Sequence, residues 1–151
     1  MSYILPNKNE LKINFKNCNN WEEKYLYIIE LGNKIPMLSQ KQHSLENFIP
    51  GCQSDVWVSF LINKNKNVEF KGDSDSAIVK GLLTMIFIFY KKKTCYEIIH
   101  FDIRLCFKKL SFDKYLTVSR IQGIDTIIKT IKKKLIKFIF HLNNKDKIKY
   151  N

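Results

Sequence analysis

The chain has 151 residues, 45% of them apolar and 13% aromatic, enough for one compact domain with a real core. Its longest apolar stretch, residues 82–90, is interrupted by Thr84 and falls far short of the roughly 18–20 residues of a membrane span. The formal charge of +12 raises the possibility of a nucleic-acid partner, but of 26 basic residues only Arg104 and Arg120 are arginine, the better reader of bases and phosphates.

The charge is also uneven: residues 129–151 hold eight lysines and one aspartate, a net +7, which leaves +5 for residues 1–128. A solvated lysine-rich surface accounts for this, and nucleic acid is not the expected partner. No secretory signal is legible in the polar N-terminus, so a cytoplasmic location without membrane association is expected. Cys18, Cys52, Cys95 and Cys106 form no C-x-x-C pair, and no histidine stands at zinc-ligand spacing. Free thiols are expected, with no disulfide framework, metal or cofactor.

In chain order, residues 10–18 predict a short helix with Leu11, Phe15 and Cys18 at helical spacing. Asn20 reads as the cap of a second helix, with Glu23 three residues on as in a capping box. Trp21, Tyr25, Ile28 and Ile29 would form its apolar face, and Gly32 its end. A loop with Pro36 follows, then a brief strand at 46–49. Residues 55–62 alternate and predict the strongest strand, with Val56, Val58, Phe60 and Ile62 on one face. A polar turn at 63–67 returns the chain into a strand at 68–72, for a sheet of about three strands.

Ser74 or Asp75 is expected to cap a helix over 76–90, and Lys91, Lys92 and Lys93 suit its negative end. Shorter helices follow at 94–101 and 103–110, and a long one at 119–142 carries a broad isoleucine stripe. Residues 1–142 are therefore expected to be a single domain and 143–151 a frayed basic tail. The class is α+β, a small antiparallel sheet with helices packed on one face.

The most informative stretch is Gly51-Cys52-Gln53-Ser54, which sets one thiol in a tight loop just ahead of the strong strand. Pro50 and Gly51 disfavour regular structure there. A cysteine at the mouth of a rigid strand can be offered to a partner, although a small buried hydrophobe is the competing reading. Cys18, Cys95 and Cys106 read as packing residues, and no histidine makes a recognisable dyad with a cysteine.

At this point the chain resembles the SufE family, with its paralogue CsdE. The resemblance rests on Asn20-Trp21-Glu22-Glu23-Lys24-Tyr25, Ile29-Glu30-Leu31-Gly32, Gly51-Cys52-Gln53-Ser54 and Val56-Trp57. It continues through Gly72-Asp73-Ser74-Asp75, Ile78-Val79-Lys80-Gly81-Leu82, Ser119-Arg120 and Gln122-Gly123, in family order over residues 5–135 or so. Asp55 stands where the family commonly has glutamine, and Val118 where it has proline.

The resemblance implies an α+β fold similar to IscU-type scaffolds and a non-enzymatic sulfur acceptor. Cys52 would take persulfide sulfur from a SufS-type (or CsdA-type) cysteine desulfurase, stimulate that enzyme and pass sulfur to a Suf-type iron–sulfur scaffold. A homodimer is implied as well. Gly51, Gln53, Ser54, Asp73, Asp75 and Arg120 become candidate partner-binding or loop-positioning residues. For Arg120 the expected role is a fork that bonds the cysteine loop or the 72–75 turn, or an ion pair with Asp73 or Asp75. Asp75 also reads as a helix cap.

The chemistry asks two things of Cys52. Only the thiolate attacks a persulfide, and a nearby Asp55 carboxylate would disfavour it, so Asp55→Gln is expected to lower the Cys52 pKa. A stored persulfide also needs shelter, which suggests an apolar pocket walled in part by Trp57 and the strand. Two other classes remain: a thiol-dependent hydrolase or transferase using Cys52, which lacks a visible base, and a basic nucleic-acid-binding module, which lacks a motif.

Overall fold

A computed structural model describes residues 4–149. Helix α1 (Lys8–Lys16) starts two residues earlier than expected, because Asn7 and Glu10 form a reciprocal capping box. Helix α2 spans Trp21–Asn33, and the Asn20 side chain accepts the Glu23 N–H as the sequence suggests. Gly32 does not end α2. It lies inside the helix, where an added Cβ would come within 2.7 Å of the Gly81 nitrogen. That glycine exists to let two helices touch.

Strand β1 (Val56–Ile62) pairs antiparallel with β2 (Val68–Ser74) in the register Val56↔Ser74 to Ile62↔Val68. The sheet has two strands, not three. The expected strand at 46–49 contributes only an isolated bridge, Phe48↔Trp57. The turn at Ser44, whose carbonyl accepts from Phe48, holds this segment too tightly for a longer ladder.

Cross-strand partners share a face, so Val56, Val58, Phe60, Phe70 and Gly72 look the same way. Helix α3 (Ala77–Tyr90) packs there, with Leu83 and Phe87 beside Gly72 and the Phe87 ring stacked on Phe70 at 5.3 Å. The cap of α3 is Ser76, one residue beyond Asp75 and two beyond Ser74, the expected caps, and its side chain accepts the Val79 N–H. Helices α4 (Cys95–His100) and α5 (Ile103–Lys109) follow, capped by Thr94 and Asp102. Helix α6 starts at Val118 and continues past the expected stop at Leu142 to Lys149.

Helices α2 and α3 cross at backbone contact: a Cβ on Gly81 would meet the Ile28 carbonyl oxygen at 2.1 Å. The core fills the space between this pair, the inner sheet face and α6, through residues such as Ile28, Val58, Leu82, Phe89, Ile128 and Leu135. The helices thus sit on one sheet face. The opposite face, with Trp57 and Asp73, is covered by the irregular 34–50 segment: the His43 ring stands edge-on to Trp57 at 4.6 Å, and Leu38 N–H donates to Asp73.

Candidate functional site

The Cys52 loop is a short excursion between two pinned ends. Ile49 N–H donates to Val56 O and Val58 N–H to Asn47 O, each at 2.8 Å, so residues 50–55 bulge from a closed base. Ile49 and Val56 are buried and hold that base in the core. Gly51 supplies the sharp turn with φ +91°, a conformation that side-chain-bearing residues rarely adopt.

Asp75 braces the far end. Its Oδ1 accepts the Asp55 N–H at 3.0 Å, and its own N–H donates to Asp55 O at 3.3 Å. This extends the β1–β2 pairing by one residue toward the loop. Asp75 is therefore not the helix cap but a tether on the loop.

Helix α6 closes the other side. Gln53 Oε1 accepts the Ser119 hydroxyl at 2.8 Å, the Thr126 methyl lies 3.5 Å from where a Gly51 Cβ would stand, and the Cys52 thiol points at Gly123 O from 3.7 Å. Cys52 is half-buried and lines a cavity of 440 Å³. The apolar walls are Val79 and Leu82 of α3 and Ile124 and Ile127 of α6, with Arg120 at its polar side. An apolar shelter was expected, but its walls are helical. Trp57 faces His43 and Phe48 instead, because odd-numbered positions of β1 point away from the helices.

Burial pushes the Cys52 thiol above its ordinary value. No contribution from Asp55 accompanies it, so the expected carboxylate effect is corrected: desolvation, not Asp55, disfavours the thiolate. The result is a thiol whose neutral form is favoured by burial against the cavity.

Arg120 makes neither the expected fork to the cysteine loop nor an ion pair with Asp73 or Asp75. Its guanidinium lies 5.8 Å from the Tyr25 ring centroid, across the cavity wall. Asp73 is buried and accepts from Leu38 N–H, Ser74 N–H and Lys80 Nζ at 2.9–3.3 Å, with His43 Nε2 at 3.0 Å. Desolvation raises its carboxyl, but the donors from Leu38, Ser74 and Lys80 outweigh it and hold it below its ordinary value. Asp73 thus fastens the 34–50 segment to β2 and α3, while Asp75, Gly51, Gln53 and Ser54 belong to the loop or its brace.

Sequence reasoning missed His43 and Lys80 as partners of Asp73, and Ser119 and Thr126 as loop contacts. Only Ser119 carried a local signal, its place beside Arg120.

A protein-family model described as "SufE: Fe-S metabolism associated domain" matches residues 9–135. The chain belongs to the SufE family. The match takes in the Cys52 loop and both walls of its cavity, and stops at the last fully buried core residue of α6, Leu135. Among solved structures, the fold is similar to the solution structure of a hypothetical protein from Thermus thermophilus, with a TM-score of 0.70 at 13% identity, over 91% of this chain and 99% of that one. At that identity the likeness concerns the fold. Family membership places the chain in iron–sulfur metabolism, and no helix among the described residues is long and apolar enough to cross a membrane.

Proposed function

We propose that Cys52 is the sulfur-accepting residue of a SufE-type carrier. The donor is a SufS-type cysteine desulfurase holding a persulfide on its own cysteine. The Cys52 thiolate bonds to the terminal sulfur. The donor S–S bond breaks, its electron pair leaves on the desulfurase thiolate, and the terminal sulfur stays on Cys52 as a persulfide. No outside oxidant or reductant is needed. Freeing its thiol sustains the desulfurase, and the carrier passes its sulfur to a Suf-type iron–sulfur scaffold. The carrier itself is not an enzyme: it works as the 1–142 domain, as a cytoplasmic homodimer, with no metal or cofactor of its own.

The observation that carries this reading is the placement of Cys52. The thiol sits at the tip of a loop closed at its base, against an apolar cavity, its own hydrogen bond the weak one to the Gly123 carbonyl, while Gln53–Ser119 and Asp55–Asp75 hold the loop around it. Burial there shields a persulfide from small thiols, and outward movement exposes it to a donor.

The test is mass spectrometry after incubation with cysteine and a SufS-type desulfurase. The chain should gain the mass of one sulfur atom, reversible by a reductant, and Cys52→Ser should gain nothing. Loading on another cysteine, or none on the intact chain, would reject the proposal. A monomeric mass by light scattering would remove the homodimer from it.

A further inference from the structure

The C-terminal half of α6 carries a surface that the cysteine site does not use. The family match ends at residue 135, yet α6 continues to Lys149. The side of α6 that touches the cysteine loop is marked by Gly123 and Thr126. At helical spacing the same ridge proceeds through Thr130, Lys133 and Lys137.

The preceding segment runs alongside it in the opposite direction. Cys52 meets Gly123, Gly51 meets Thr126, and Glu46 O accepts from Lys134 Nζ at 2.9 Å. The ridge is therefore continuous with the mouth of the thiol site. From Thr126 to Lys137 it spans about 17 Å.

Lys129, Lys133 and Lys137 follow one another at four-residue spacing, all exposed, and none has an ion-pair partner among the described residues. The acids beside the row are engaged elsewhere: Glu46 faces Lys134, and Asp125, one turn before Lys129, pairs with Arg104. Beside the lysines stand Ile136 and Phe140, 52% and 63% exposed. An apolar centre flanked by unpaired like charges has the make-up of a docking patch. A second copy meeting this patch across a two-fold axis would set lysine rows against each other, which charge repulsion opposes.

We propose that the Lys129–Lys133–Lys137 row, with Ile136 and Phe140, is a docking rail for an acidic surface on the desulfurase that donates sulfur to Cys52. This rests on the sulfur-carrier reading of the loop. Lys137 lies about 21 Å along α6 from Gly123, and a partner patch of about 800 Å² is roughly 32 Å across, so a partner placed with Cys52 toward one edge also covers the lysine row. The rail aligns the partner along α6 and speeds encounter. It takes no part in the sulfur step.

The test uses the full chain with a SufS-type desulfurase. Lys133→Glu/Lys137→Glu is compared with Lys12→Glu/Lys64→Glu, which changes net charge equally on α1 and at the hairpin turn. Both pairs are exposed, and circular dichroism checks that each variant folds. The rail variant should associate about tenfold more slowly at low salt, and converge with wild type near 0.5 M salt, where the screening length is only about 4 Å. The control pair should stay within about twofold, and Lys133→Gln/Lys137→Gln should fall between. Saturating desulfurase should load the same single sulfur on every variant.

Normal loading of wild type with an unchanged association rate in the rail variant overturns the rail alone. So does loss of binding to phosphatidylserine vesicles or an oligonucleotide with desulfurase association intact. No loading of wild type overturns the carrier reading and the rail with it.

Discussion

Replacing Asp75 by alanine should make Cys52 more reactive. The Asp75 carboxylate accepts the Asp55 N–H at 3.0 Å and so ties the end of the cysteine loop to the start of α3. A hydrogen bond to a charged group contributes about 1.5–3 kcal/mol when shielded, but Asp75 is exposed, and solvent screening reduces this to about 1 kcal/mol. The loop keeps its Ile49–Val56 bond and the Gln53–Ser119 contact, so it loosens without unfolding. If the thiol reacts only when the loop lifts from Gly123, about 1 kcal/mol raises the open population and the alkylation rate about fivefold.

The assay is iodoacetamide labelling followed by peptide mass spectrometry, with Cys18 of the same chain as internal reference. Asp75→Asn separates the tether from the charge: it keeps an acceptor for the Asp55 N–H but loses the negative charge, so it should lie nearer wild type. A wild-type rate in Asp75→Ala would refute the tether. Equal acceleration in the two variants would refute it as well, because the cause would then be charge.

The remaining expectations concern the frame around the site. Gly81→Ala should cost at least about 3 kcal/mol in urea unfolding, because its Cβ would lie 2.1 Å from the Ile28 carbonyl oxygen and backbone cannot yield as a side chain can. Gly123→Ala, with nothing within 4 Å of its Cβ, should instead be neutral or stabilise by up to about 1 kcal/mol, and a loss there would show that α6 is packed more tightly than this geometry allows. Tyr90→Phe should be neutral or stabilise by about 1 kcal/mol, since the buried Tyr90 hydroxyl has no hydrogen-bond partner among the described residues, and marked destabilisation would reveal a hidden one. The folded Asp73 carboxyl titrates below its unfolded value, near 3.9. Its contribution is present above that pH and lost as pH falls through the folded pKa. Asp73→Asn should therefore lie about 3 kcal/mol below wild type at pH 7, with the gap closing as pH falls through the folded pKa of Asp73, and a gap independent of pH would count against the buried ion pair.

Much of this protein is local and therefore written in the chain. Alternation from Val56 to Ile62 specifies β1, because one side of the ribbon must be buried. Asn20 and Glu23 specify the start of α2, because a helix's first N–H groups need acceptors close by. The Gly51-Cys52-Gln53-Ser54 loop was legible for the same reason, since a turn at φ +91° strongly favours glycine where it occurs. Other features depended on residues far apart meeting in space. Gly32 looks like a helix end until Gly81 is brought against it. Asp75 looks like a cap until Asp55 lies within hydrogen-bond distance, and Ser76 then takes the cap. Arg120 reads as a partner for Asp73 until the fold places it over Tyr25 and gives Asp73 the Leu38 and Ser74 N–H groups and Lys80 instead. The chain alone determined that a thiol is presented ahead of a strand. Tertiary packing decided what shelters it, since the walls come from α3 and α6, whose distance from Cys52 is set by how the core closes and not by any neighbouring residue.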